Sequence, residues 1–370
     1  MMKKSLFTLL GLGVLLGSTS AMAQSAWDGG DDLPVNPLAC DGSAGAVEAK
    51  PYDGAQPSNA PDRSGKNITL VDIPKLIGVG YFGATTKGMQ EAAKELGNVE
   101  VTTDGPTKAN IDEQITFIDN YITRGVDGIL FAANDTVAIA PVLKKALEQG
   151  INVIGYDSNS TPDSREWFVN QAEFNGVAKS LIDNMAKEIG EDGSFAIVTS
   201  TFTTPNQARW IAEMAAYAQA CYPNMEWLET VEAQEDNILS FNQASTLINK
   251  YGEDLDGIFG MTSIATPASA EAVTQADMCG KVAVVGLATP NAMRPYVKSD
   301  CVKSVVLWNP VDLGYAAVYA ARAAADGDLK PGSTELEAGK LGKLQVVNGS
   351  EILLGAPFVF SKDNIDDFDF

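Results

Sequence analysis

Apolar positions along residues 67–157 alternate between two patterns. NITLVDI (67–73) is an apolar run of strand length, and GILFAA (128–133) and INVIGYD (151–157) read the same way. Between them, Ile111, Ile115, Ile118 and Ile122 recur at helical spacing in a segment (109–125) that closes on Gly125. KGMQEAAKELG (87–97) and VAIAPVLKKALEQG (137–150) are further helices, VEVTTD (99–104) is a further strand, and PKLIGVGYFGATT (74–86) is expected as a Gly-rich loop. Strand–helix alternation with short connections predicts parallel strands covered by helices.

The pattern is then written again. SFAIVTS (194–200), MEWLETVEA (225–233), GIFGMT (257–262) and KVAVVGLA (281–288) are strands, separated by helices at 208–222, 240–252 and 266–278. VDGILFAAND (126–135) has a close echo in LDGIFGMTSI (255–264). The offsets are steady: 194 − 67 = 127, 255 − 126 = 129 and 284 − 153 = 131. Two copies of one β/α half predict two similar lobes.

Residues 1–23 follow a different logic. A basic start (Lys3, Lys4), the apolar run LFTLLGLGVLLG and the small residues before Gln24 have the form of a secretory signal peptide, cut after Ala23. That run is too short to span a bilayer, which takes roughly 20 apolar residues. Residues 24–66, rich in Gly, Pro, Asp, Ser and Ala, read as an extended arm. Export places the four cysteines in an oxidising compartment. Cys279 and Cys301 flank one strand–turn–helix unit and are expected to pair, which leaves Cys40 with Cys221 by elimination. Their spacing does not suit a metal site.

The formal net charge is −22, so nucleic acid is a poor partner. There is no histidine in the chain, which excludes a Ser-His-Asp triad and removes the commonest metal ligand. LIGVGYFG holds G-x-G without the rest of a dinucleotide fingerprint, and no cofactor is implied.

Ligands of open parallel sheets bind beyond the carboxyl ends of the strands. Those ends carry Lys75, Tyr81 and Phe82; Asn134 and Asp135; Asp157; Asn206 and Gln207; Thr262; and Trp308 with Asn309. Amides, hydroxyls and a carboxylate beside aromatic faces suit a small polyhydroxylated molecule. Asn134 equally suits a helix cap, and Tyr81, Phe82 and Trp308 equally suit a core.

IPKLIGVGYFGATTKGMQEAAKELG, TTDGPTKANIDEQI, ALEQGINVIGYDSNSTPDSREWFVNQ, VVGLATPNAMRPYVKSDCVKSVVLWNPVDLG and FVFSKDNIDDFDF carry a resemblance across most of 67–370. The chain resembles the type I periplasmic substrate-binding proteins of ABC importers, in the ribose-binding-like class, and within it the autoinducer-2- and rhamnose-binding branch. The resemblance implies two Rossmann-like lobes joined by a three-segment hinge. Lobe 1 would take 67–171 and 308–345, and lobe 2 would take 172–307 and 346–370. It implies a monomeric receptor, not an enzyme, that delivers its ligand to an ABC permease.

Lys75 and Asp157 stand where that branch places ligand contacts. Asn206-Gln207 stands where the autoinducer-2 branch has Asp-Gln, and Asn309 stands where it has Asp. Pro267, Ala268 and Ser269 stand where it has Pro-Ala-Ala. Amides donate as well as accept, whereas carboxylates only accept. A sugar or sugar alcohol is therefore expected ahead of autoinducer-2. Transcription regulators of the same two-lobe form carry a DNA-binding helix-turn-helix, which 24–66 does not offer. A hydrolase would need two carboxylates about a glycosidic bond, with Asp157 and Asp135 as the nearest pair.

Overall fold

The computed structural model describes residues 33, 35–43 and 50–370. The expected leader, 1–23, lies outside them. The first half is built from β1 (Ile68–Ile73), α1 (Gly80–Leu96), β2 (Val99–Thr103), α2 (Ile111–Arg124), β3 (Gly128–Phe131), α3 (Ala140–Glu148), β4 (Asn152–Tyr156) and β5 (Trp167–Asn170). The second is built from α4 (Phe174–Ile189), β6 (Ser194–Thr199), α5 (Pro205–Cys221), β7 (Glu226–Glu232), α6 (Asn237–Tyr251), β8 (Gly257–Gly260), α7 (Ala265–Gln275), β9 (Ala283–Gly286), α8 (Pro290–Lys298) and β10 (Ser304–Leu307). The chain then returns through α9 (Pro310–Asp326), β11 (Glu335–Glu337), β12 (Lys343–Val347) and β13 (Glu351–Leu353), and ends with β14 (Phe358–Ser361).

Two sheets result. The larger runs β11-β12-β13-β5-β4-β3-β1-β2, and the smaller runs β7-β6-β8-β9. The β1–β5 pairs and the whole smaller sheet are parallel, while β11–β12–β13 add an antiparallel edge. A single parallel bridge, Leu287 to Val306, carries the smaller sheet on to the antiparallel pair β10–β14. The chain passes between the halves after β5, after β10 and after β13. The boundary expected at residue 345 is corrected to follow Leu353, because β12 and β13 hydrogen-bond into the larger sheet.

The repeated strand has a repeated job. Asp127 accepts from the Thr69 backbone N–H at the start of β1, and Asp256 accepts from that of Ser194 at the start of β6, each at 2.8 Å. Each aspartate pins the first strand of its half to the third.

Helix ends follow their capping residues. Asn110 accepts from Glu113 N to open α2, Asp236 accepts from Leu239 N to open α6, and Gly125 closes α2 in the left-handed region. α1 starts at Gly80, seven residues before the expected Lys87 (87 − 80), so Tyr81 and Phe82 sit in its first turn. The reason is tertiary: α1 lies against α9 at backbone contact. A Cβ on Gly88 would run into the Val311 carbonyl, and one on Gly314 into the Thr85 carbonyl.

The arm touches both halves. Asn36 N donates to the Glu213 carboxylate of α5 at 3.0 Å, and Asn175 Nδ2 of α4 donates to Asn36 O at 2.9 Å. Cys40 is bridged to Cys221 at the end of α5, and Cys279 to Cys301. Farther on, Tyr52 packs on Trp167 of β5 with ring centroids 4.9 Å apart, and Arg63 pairs with Asp127 at 2.9 Å. The arm is thus a strap docked first on the smaller-sheet lobe and then on the larger-sheet lobe.

Candidate functional site

The parallel strands of both sheets direct their carboxyl ends at one cleft. Residues after β1 (Lys75), β4 (Asp157), β7 (Glu235), β8 (Thr262) and β10 (Trp308) line a cavity of about 30 Å³, together with Tyr81 and Phe82 of α1 and Asn206, Gln207 and Trp210 of α5. That volume holds a water or two. Small-molecule pockets run to roughly 300–1,000 Å³, so the cleft as it stands is closed to a ligand of that size.

Asp157 is the centre of the polar network. Its Oδ1 accepts from the Tyr81 hydroxyl at 2.8 Å. Its Oδ2 lies 3.2 Å from Lys75 Nζ and accepts from Asn206 Nδ2, on the facing lobe, at 3.3 Å. The Trp308 indole N–H donates to Tyr81 at 2.8 Å, which orients the hydroxyl toward Asp157. Burial, and then the Asp157 charge, push the Tyr81 phenol well above its ordinary range, so it remains a donor.

The backbone at Asp157 is strained. Its φ is +59, in the left-handed region, and Ser158 N–H closes a tight turn onto Tyr156 O. For a non-glycine residue that conformation costs on the order of 1–3 kcal/mol. The turn aims the carboxylate out of the sheet and into the cleft.

The facing lobe supplies a second carboxylate. Glu235 Oε1 accepts from Gln207 Nε2 at 3.2 Å and lies 3.8 Å from Lys75 Nζ. Burial raises its pKa above the ordinary carboxylate value, against the opposing pull of Lys75. Gln207 is itself held by Thr199 Oγ1 and Ser200 N, both donating to its Oε1 at 2.7 and 2.8 Å. Aromatic rings wall the site: Trp308 stands 5.5 Å from Trp210 and 6.2 Å from Tyr81, and Lys75 Nζ lies 5.9 Å from the Phe82 ring centre.

Lys75, Tyr81, Phe82, Asp157, Asn206, Gln207, Thr262 and Trp308 therefore converge. Four other candidates do not reach the cavity wall. Asn134 turns its amide back to the Lys75 carbonyl, 2.9 Å away, and so supports the Lys75 loop from behind. Asn309 caps α9, accepting from Val311 N at 3.0 Å. Pro267 and Ser269 lie within α7, whose start at Ala265 leaves 261–264 to face the cleft; the Ser269 hydroxyl is buried in the helix packing. Glu235 and Trp210 are wall residues that the reading of strand ends passed over. Glu235 follows β7 and so lies, like the others, beyond the carboxyl end of a parallel strand.

Residues 72–329 match the family model described as "Periplasmic binding protein domain". The chain belongs to that family. It is 26% identical to the D-ribose/D-allose-binding protein of Pseudomonas aeruginosa over 61% of this chain and 72% of that one. It is 33% identical to a sugar ABC transporter structure from Actinomyces odontolyticus, with a TM-score of 0.67, covering 84% of this chain and all of the other. It is 29% identical to a Clostridium phytofermentas ABC transporter solute binding protein with bound L-rhamnose, with a TM-score of 0.76, covering 82% of this chain and 98% of that one. This periplasmic binding protein is thus placed among the sugar-binding solute receptors of ABC transporters, which are not enzymes. Among its described residues no helix is long and apolar enough to cross a membrane.

Proposed function

We propose that this receptor is exported to the periplasm, with its leader cut after Ala23, closes on one small sugar or sugar alcohol, and presents it as a monomer to an ABC permease. The observation that carries the reading is the convergence of Asp157 and Glu235, one from each lobe, on the single ammonium of Lys75 between aromatic walls. Ionised carboxylates only accept hydrogen bonds, and a polyol is a cluster of hydroxyl donors. Lys75, Asn206 and Gln207 supply donors for its remaining oxygens, and Tyr81, Phe82, Trp210 and Trp308 supply apolar faces. A ligand that bridges Asp157 and Asn206 holds the lobes together, a hinge closure.

Autoinducer-2 is the second reading. Lys75 and Asp157 stand where its receptors place ligand contacts, but Asn206 and Asn309 stand where they carry acids, and Asn309 is turned to its helix cap.

A thermal-shift panel tests this, because a ligand that binds only the folded protein raises its melting temperature. The panel holds D-ribose, D-allose, L-rhamnose, D-arabinose, a four- to six-carbon polyol series and autoinducer-2. A shift with a sugar or polyol supports the receptor reading, a shift with autoinducer-2 alone replaces it with signal uptake, and a flat panel refutes both.

A further inference from the structure

We propose that Glu235 sets the specificity of the cleft: it receives a hydroxyl of a neutral sugar or polyol and shuts out sugar acids. The inference rests on the sugar-receptor reading and adds to it the charge class of the ligand.

The first support is the loop that presents Glu235. Gln234 and Glu235 both have φ of +52, two consecutive non-glycine residues in the left-handed region. Each such residue is sterically disfavoured, and glycine would relieve it. Local architecture does not call for the acid. Asp236, not Glu235, caps α6, and the turn is closed by backbone bonds from Ala233 and Gln234 to Ser200 O. Its effect is to turn a charged side chain inward until only 7% of it is exposed.

The second support is incomplete pairing. A carboxylate has about four acceptor sites. Glu235 has two side-chain donors, Gln207 Nε2 at 3.2 Å and the Thr262 hydroxyl, and its ammonium neighbour at 3.8 Å is beyond hydrogen-bond range. Lys75 sits closer to Asp157, at 3.2 Å. A hydroxyl pair on a ligand fits the acceptor capacity left over.

The third support is the charge sum. The carboxyl and amino side chains lining the cavity are Lys75, Asp157 and Glu235, one basic group against two acidic ones. A carboxylate or phosphate on the ligand would enter a buried site that already holds the extra negative charge, and like charges repel strongly there. Without Glu235 the cavity would balance.

The test uses the full mature protein and the variant Glu235→Gln, titrated with D-ribose, D-allose, L-rhamnose, D-arabinose and D-fucose, and with D-galacturonate and D-glucuronate. Wild type is expected to bind at least one neutral sugar and neither uronate. The variant is expected to bind that neutral sugar about tenfold or more weakly, the loss of one charge-assisted hydrogen bond, and to narrow the gap between neutral sugar and uronate. Binding of a uronate by wild type as tightly as a neutral sugar would overturn the inference while leaving the receptor reading intact. So would a variant that keeps its neutral-sugar affinity within twofold. Failure of wild type to bind any of these sugars and any member of the four- to six-carbon polyol series would refute the receptor reading, and this inference with it. The wild-type comparison needs no variant, so misfolding of Glu235→Gln would not protect the claim.

Discussion

Asn206 Nδ2 donates to Asp157 Oδ2 across 3.3 Å, so a side chain from the start of α5 reaches a strand end of the opposite lobe. The same carboxylate accepts from Tyr81 and sits against Lys75. One residue therefore senses both lobes.

Asp157→Ala should abolish sugar binding, a loss of at least a hundredfold, while the far-ultraviolet circular dichroism remains that of wild type. Removing it leaves Lys75 with only the more distant Glu235 and leaves Tyr81 and Asn206 without their acceptor. Isothermal titration with the sugar that gives the largest thermal shift checks this. Unchanged affinity would take Asp157 out of the site.

Gly314→Ala should destabilise the protein by about 1–3 kcal/mol or more, because the added methyl meets the Thr85 carbonyl and helices cannot overlap. It should also weaken sugar binding, since α9 follows directly on Trp308, and pushing it off α1 stretches the 2.8 Å bond from Trp308 to Tyr81. Urea unfolding and tryptophan fluorescence read the two effects separately. An alanine variant as stable as wild type would mean the helices slide without cost.

The buried Asp72 carboxyl is pushed up to about 7 by desolvation, against the opposing hydrogen bonds from Tyr156 and Thr103. In the unfolded chain it titrates at its ordinary value, near 3.8. Between those values the folded state holds more protons than the unfolded one, so stability falls as pH rises from about 4 to about 7. Asp72→Asn keeps the Tyr156 bond, and the Thr103 hydroxyl can rotate to accept from the new amide. The variant should gain stability relative to wild type at pH 8 and show little difference at pH 4. Urea midpoints across that range would sink the idea if the two curves stayed parallel.

The two-lobe plan was legible because each half repeats an apolar strand register, and the shared Asp127 and Asp256 show why the repeat is kept. Asp157 and Lys75 were legible as polar residues beyond buried strands. The early start of α1 was not: Gly78, Gly80 and Gly83 read as breakers, and what holds the first turn helical is contact with α9, more than 220 residues away (310 − 80 = 230). α9 itself is apolar almost all round, so no helical stripe marks it. Trp210 was hidden because an aromatic in an amphipathic helix reads as core. Glu235 was hidden because positive φ has no sequence signature outside glycine, asparagine and aspartate, and an acid among acids in EAQED reads as a solvated loop.

The two disulfides join Cys40 with Cys221 and Cys279 with Cys301. Four cysteines allow three pairings, and this is the one in which the first meets the second and the third meets the fourth. If the chain enters an oxidising space N-terminus first, Cys40 meets Cys221 before either competitor has appeared, and the later pair forms from what remains. Oxidation in order of appearance therefore yields the native bonds without reshuffling. In that order the strap would be sewn to the second lobe before the later strands of that lobe have followed.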